Sequence, residues 1–246
     1  MTLKDVHEKP LAEQVAVVSG AARGIGEAIS LRLASLGAHV ILTARDKDKL
    51  EAVEAAIHRD GGSASTHPVD LRDAAAVEAL GLAVRERYQR CDILINNAGV
   101  GRLGKPLHQM TLEQWDETLE TNLRGPFLLI RAFAELMIER RSGEIINISS
   151  LAGKNPLPKG VAYSASKWGL NGLTYGVAEE LREYGIRVTA VAPGSVNTAF
   201  GAGNADAERA AKKIQPDDLA DVVEMLVRQP QRTFVSEVLM RPTFKS

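Results

Sequence analysis

The chain is expected to fold as one α/β domain, a doubly wound parallel sheet with helices on both faces. Three observations point there. Short apolar runs alternate with longer amphipathic stretches along all 246 residues. Within each run the apolar residues are consecutive, as in strands covered on both sides. The first run passes straight into a glycine-rich turn, "SGAARGIG" at 19–26. No linker, internal repeat or low-complexity block interrupts the pattern, so residues 1–246 are read as a single unit.

"VAVVSG" (15–20) is the first strand. A helix from Gly24 to Leu36 follows, with Ile25, Ile29, Leu33 and Leu36 on one side. "AHVILTA" (38–44) is the second strand, and residues 47–59 form a helix that Asp46 can cap. A third strand lies within "SASTHPVD" (63–70), with a helix near 73–88. "DILINNAG" (92–99) is the fourth strand. Thr111 and Gln114 have capping-box spacing and open a long helix. "GEIINISS" (143–150) is the fifth strand, followed by a helix through Tyr163 and Lys167 to about Tyr184. "IRVTAVAPG" (186–194) is the sixth strand. A short helix around 217–228 and a strand near 233–240 complete the pattern. The segment 195–215 is the most loop-like, rich in Ala and Gly, and is the candidate substrate loop or lid.

Composition narrows the function classes. With 45% hydrophobic and 25% charged residues, the chain has material for a sizeable core. A formal net charge of -1 gives no basic footprint for nucleic acid and no polybasic membrane patch. Cys91 is the single cysteine, so no internal disulfide forms and no oxidising compartment is needed. The start, "MTLKDVHEKPLAEQ", lacks the apolar run of a signal peptide. No stretch nears the roughly 18 apolar residues of a membrane span. A soluble cytoplasmic protein is expected. The five histidines are scattered, so no metal is expected.

The glycine turn suits a dinucleotide. Gly20, Gly24 and Gly26 lack the Cβ that would block a sharp turn or a close phosphate. The helix behind them offers free N–H groups and the positive end of its dipole. Their spacing is GxxxGxG rather than the general GxGxxG. About 20 residues on, an acid would hold the ribose of NAD, but the second strand ends in Ala44 and Arg45. Arg45 instead suits a 2′-phosphate, with Arg23 as a second clamp, and together they point to NADP(H). Asp46 beside a ribose would favour NAD, but helix capping explains it more simply. Asp70 is placed to accept from the adenine amine; its plain alternative is a helix cap. "NNAG" (96–99) supplies Asn97 to brace neighbouring turns and Gly99 to permit close approach; its plain alternative is a turn.

The chemistry rests on "YSASK" (163–167). Residues four apart share a helix face, so Tyr163 and Lys167 stack. An ammonium beside a phenol favours the phenolate and makes it a better proton carrier near neutral pH. Ser150 ends the fifth strand, at the sheet edge where α/β proteins bind ligands, and can hold a substrate carbonyl. Ser149 points the other way along the strand. Asn122 stands four residues before Pro126, which has no N–H, so the Asn122 carbonyl loses its helical donor. That carbonyl can hold a water beside Lys167.

The ordered set "SGAARGIG", "NNAG", Asn122, Ser150, "YSASK" and "PG" (193–194) resembles the classical short-chain dehydrogenase/reductase family, from residue 19 to 194. The resemblance implies a Rossmann-like, seven-stranded sheet and a catalytic tetrad of Asn122, Ser150, Tyr163 and Lys167. It implies cofactor contacts at Ile25, Leu71, Ala98, Pro193, Gly194, Val196 and Thr198, with Thr198 on the nicotinamide carboxamide. By analogy it implies a homodimer or homotetramer. Three departures stand out: Ser19 where threonine is common, a short 195–215 segment, and a tail without the usual glycine-rich stretch, which puts tetramer contacts in doubt.

The expected function is NADP(H)-dependent reduction of a ketone or aldehyde, or oxidation of the matching alcohol. A 3-oxoacyl thioester is the leading specific substrate. An alcohol, sugar or steroid dehydrogenase is the alternative, with "LAGKNPLP" (151–158) lining the pocket. A different class is a dinucleotide-sensing protein without turnover, which would have no use for Tyr163. A P-loop phosphotransferase fits poorly, because "GIGEA" lacks the GK[ST] ending.

Overall fold

Each of the seven central strands contributes backbone to one all-parallel sheet in the computed structural model, which describes residues 9–200 and 207–244. In chain order the elements begin β1 (Val15–Ser19), α1 (Gly24–Ser35), β2 (His39–Thr43), α2 (Lys47–Arg59), β3 (Ser63–Thr66), α3 (Ala74–Tyr88) and β4 (Ile93–Asn96). They continue with α4 (Leu112–Leu119), α5 (Gly125–Arg140), β5 (Gly143–Ile148), α6 (Val161–Leu181), β6 (Ile186–Pro193), α7 (Ala207–Ala211), α8 (Pro216–Val227) and β7 (Glu237–Met240). The strand order is β3-β2-β1-β4-β5-β6-β7. The chain winds outward from β1 to β3, then returns to lay β4 on the other side of β1. That reversal opens a crevice at the carboxyl ends of β1 and β4.

Alternation of side chains across the sheet builds two cores. Ala16, Val18, Val40, Leu42, Ile93 and Ile95 face one layer, where Ile29 and Leu33 of α1 and Val223 of α8 pack. Val17, Ile41 and Leu94 face the other, against Val77 and Leu80 of α3 and Leu129 and Phe133 of α5. Consecutive apolar residues in β1 therefore serve two different cores.

The expected caps are present. The Asp46 side chain accepts from Lys49 N, and Thr111 with Gln114 forms a capping box on α4. The long helix that Thr111 opens is interrupted, however. Residues Glu120–Arg124 form a wider turn, with Gly125 N–H donating to Glu120 O five residues back. Pro126 supplies no N–H, so the ladder shifts register before α5 resumes. β3 and β7 are shorter than their apolar runs suggest. The Asp70 segment beyond β3 is a turn, and 233–236 precede the last strand. Part of the expected loop is ordered by its own ends. Val196 bridges Ile214, and Asn197 N donates to Ile214 O at 2.8 Å. α7 lies within it, while 201–206, together with 1–8 and 245–246 of the predicted single unit, lie outside the described residues.

Candidate functional site

A cleft of about 890 Å³ runs along the carboxyl ends of the strands. At one end lies the glycine turn. Gly20 has φ 67°, and a Cβ there would stand 2.8 Å from Ala98 Cα. A Cβ on Gly26 would meet Gly20 O at 2.2 Å. Gly26 therefore seats α1 on the turn and, unlike Gly20 and Gly24, does not line the cleft. Asn97 braces this geometry as its type suggested, its Nδ2 donating to Ser19 O at 3.0 Å and Gly20 O at 3.2 Å. The Ser19 hydroxyl accepts from Asn97 N and Ala98 N. The hydroxyl common to serine and threonine is what this position needs.

Arg23 and Arg45 are exposed at the mouth, and neither makes an ion pair among the described residues. Asp46 is committed to its cap and to Lys49 Nζ at 2.6 Å. Asp70 lines the cleft but is not the cap of α3; Asp73 is. The Arg72 guanidinium grips Asp70 through Nε and Nη2, the latter at 2.6 Å, and holds its carboxyl below the usual range. Ile25, Leu71, Ala98 and Gly99 complete this end; Pro193, Gly194, Val196 and Thr198 line the cleft from the β6 side.

Ser150, Tyr163 and Lys167 all reach the cleft. Ser150 starts a single helical turn (Leu151–Gly153), its Oγ accepting from Ala152 N at 3.1 Å. It thus also fills the capping role that a serine here allows. Ser149 turns inward, with Oγ donating to Lys167 O at 3.5 Å. Lys167 is buried. Its Nζ donates to Ile148 O at 2.7 Å and lies 5.8 Å from the centre of the Tyr163 ring. Burial draws its pKa down to about 8. Burial also pushes the Tyr163 phenol up, opposed by a hydrogen bond with Ser150. The balance at Tyr163 therefore differs from the expected ammonium-driven lowering, because desolvation of the ring oxygen outweighs its neighbours here.

Asn122 is fully buried behind the cleft, which Thr121 lines instead. Its amide is a clamp that spacing did not reveal. Oδ1 accepts from Val100 N, and Nδ2 donates to Val100 O, both at 2.8 Å, and to Ser166 Oγ at 3.1 Å. The loop after β4 is thereby tied to the residue beside Lys167. Leu151, Ala152, Asn155, Pro156 and Leu157 from the 151–158 segment line the cleft as expected. Phe200, within the expected substrate loop, lines it too, though no periodicity singled that residue out; Leu103, in an irregular segment, lines it and was not anticipated. Among the described residues, no group of His, Cys, Asp and Glu is placed to hold a metal, and no helix is long and apolar enough to cross a membrane.

Sequence and structure comparisons identify the family. The family described as short chain dehydrogenase matches residues 14–209. The chain belongs to the short-chain dehydrogenase family. It is 34% identical over 232 residues to an uncharacterized oxidoreductase of Staphylococcus aureus (strain N315), covering 94% of this chain and 98% of the relative. A Staphylococcus saprophyticus oxidoreductase, also uncharacterized, is 36% identical with the same coverage. Among solved structures, a metagenomic short-chain oxidoreductase in complex with NADP is 53% identical, with TM-score 0.85 over 96% of this chain and 99% of that one. An alcohol dehydrogenase from the archaeon Thermococcus sibiricus, complexed with 5-hydroxy-NADP, is 30% identical with TM-score 0.88 over 95% and 98%. The protein is an oxidoreductase of this family.

Proposed function

We propose that the protein uses NADP(H) to reduce a ketone or aldehyde, or to oxidise the matching alcohol. The convergence of Ser150, Tyr163 and Lys167 on one cleft, whose far end carries the glycine turn, is the observation that carries this reading. The residues fit the cofactor. Gly20 lines the cleft at a positive φ where a Cβ would collide with Ala98, and Arg23 and Arg45 offer exposed cations that make no ion pair among the described residues. The NADP and 5-hydroxy-NADP held by the two solved relatives support the choice.

In this reading Arg45 and Arg23 bind the 2′-phosphate and Asp70 accepts from the adenine. Gly20, Gly24, Ile25, Leu71, Ala98 and Gly99 form the cradle. Pro193, Gly194, Val196 and Thr198 line the nicotinamide end. When bound, NADPH supplies the hydride. Ser150 donates a hydrogen bond to the carbonyl oxygen and fixes its orientation. Tyr163 gives that oxygen a proton, and in oxidation its phenolate removes one. Lys167 holds the ribose and, with water on the Asn122 carbonyl, returns the proton to Tyr163. Ser195, Ala199 and Phe200, from the described start of the 195–215 segment, border the substrate. Cytoplasmic location and a homodimer or homotetramer belong to the same reading; light scattering of the purified chain measures the latter. The 3-oxoacyl thioester stays in the substrate set beside simple ketones, aldehydes and alcohols.

Tyr163→Phe is expected to lower turnover by about 10³-fold or more, with NADPH binding kept within threefold by fluorescence titration. Turnover within twofold of the unaltered protein would overturn the assignment. Arg45→Ala should raise the KM for NADPH by roughly tenfold to a hundredfold while changing that for NADH little.

A further inference from the structure

The cleft beyond Tyr163 has an aromatic wall. The Phe200 ring stands 5.6 Å from the Tyr163 ring, centre to centre, with the planes at 53°. Its edge rests on Gly101, where a Cβ would come 2.8 Å from Phe200 Cε1 and 3.0 Å from Cζ. Gly101 is thus a seat cut to the ring. Leu103 approaches the same glycine, and Leu103 and Leu157 meet again over Gly160. Phe200, Leu103 and Leu157 therefore form a continuous apolar lip beside Tyr163.

Charge is distributed unevenly along the cleft. Arg23, Arg45, Asp46, Lys49 and Asp70 line the glycine-turn end, and Lys167 lies beneath Tyr163. Among the described residues, no charged side chain lines the Phe200 end. Arg102, between Gly101 and Leu103, is paired with Glu117, its Nε 2.7 Å from Oε2. Phe200 is 40% exposed, an apolar residue with contact area still to gain.

We propose that Phe200 on its Gly101 seat is the specificity-determining wall of this site, which takes ketones or aldehydes bearing an uncharged apolar group, best an aryl ring, beside the carbonyl. The inference rests on the oxidoreductase reading above. With the carbonyl oxygen between Ser150 and Tyr163, its substituent falls against Phe200, Leu103 and Leu157. An aryl group there gains burial and a tilted ring contact. A carboxylate at that end would lose water with no cation in return, and a sugar would exchange many water contacts for the few neutral polar groups of the lining, Asn155 and Ser195 among them.

The test is kcat/KM with NADPH on an aryl methyl ketone, a short aliphatic ketone, a 2-keto acid, a sugar aldehyde and a 3-oxoacyl thioester. The aryl ketone is expected to exceed the keto acid and the sugar by roughly a hundredfold. Phe200→Ala should lower the aryl-to-aliphatic ratio about tenfold, chiefly through KM. Gly101→Ala should lower the ratio in the same direction, because its Cβ unseats a ring it does not replace. Ratios unchanged within twofold in both variants, or a keto acid used as well as the aryl ketone, would overturn the inference alone. If none of these carbonyls drives NADPH consumption, the carbonyl-reduction reading is overturned, and this inference with it.

Discussion

Two buried charges lie at opposite rims of the sheet. At the carboxyl rim Lys167 is buried with no carboxylate paired to it among the described residues, its Nζ resting on Ile148 O. At the amino rim Glu144, at the start of β5, is buried against Arg187 of β6, Oε2 to Nε at 2.5 Å. Burial penalises the ionised form of both. It draws Lys167 down to about 8 and pushes Glu144 up to about 7, outweighing even the Arg187 guanidinium. Glu144 Oε1 has no hydrogen-bond partner among the described residues, which is part of that cost. The settings differ, however. Glu144 is sealed between two strands and serves their pairing. Lys167 opens on a cleft beside a phenol, where a group that titrates near neutrality can exchange protons.

The largest test of that contrast is Arg187→Ala. Removing one partner strands a buried carboxylate and should cost about 3–5 kcal/mol in urea melts at pH 8. At pH 5 the cost should be smaller, because Glu144 sheds its charge. Turnover per folded molecule should stay within twofold. A cost below about 1 kcal/mol at pH 8 would mean that the amino rim does not depend on this pair.

The pH windows sharpen the comparison further, in the cofactor-free protein. The folded pKa of Glu144, about 7, lies above its ordinary 4.5, so the native state holds a proton the unfolded chain releases. Its contribution is full below 4.5 and is lost as pH rises through 7. The folded pKa of Lys167, about 8, lies below its ordinary 10.5. Between those values the unfolded chain binds the extra proton, so stability rises with pH. Each span corresponds to about 3 kcal/mol. Glu144→Gln should flatten the first window and Lys167→Met the second. If neither substitution changes the slope, burial does not control these groups.

The same contrast explains what was legible in the sequence. The cofactor end depends on residue types that geometry demands: a glycine where φ is positive, an amide able to bond two carbonyls, a free arginine at a strand end. Gly20, Asn97 and Arg45 announce themselves. The sheet is legible because strands covered on both faces are apolar over most of their length. Three features depend instead on partners far along the chain. Asn96 Nδ2 donates to Asn147 Oδ1, and Asn147 Nδ2 to Thr174 Oγ1, a polar rung that only strand register brings together. The clamp of Asn122 on Val100 and Ser166 is of the same kind. Phe200 reaches Tyr163 from an irregular segment with no period to mark which face it takes. The shift before α5 was half legible: Pro126 predicted a lost bond, while the five-residue turn required the folded helix.

The smallest expected effect lies in a third charged group, exposed where the Glu144 pair is sealed. Lys154 Nζ reaches Glu237 Oε1 at 2.7 Å and Tyr175 Oη at 2.6 Å, and Tyr175 Oη donates to Glu237 at 2.8 Å. The network ties the turn after Ser150 to α6 and β7. Lys154 and Glu237 are each more than a quarter exposed, so water competes for both charges. Lys154→Met should therefore cost about 1 kcal/mol or less, and less still in high salt. It should also touch the rate. A turn freed to drift misplaces Ser150, lowering kcat roughly two- to fivefold with the KM for NADPH unchanged. A stability loss as large as that of Arg187→Ala would break the comparison, since exposure would then have failed to weaken the charges it reaches.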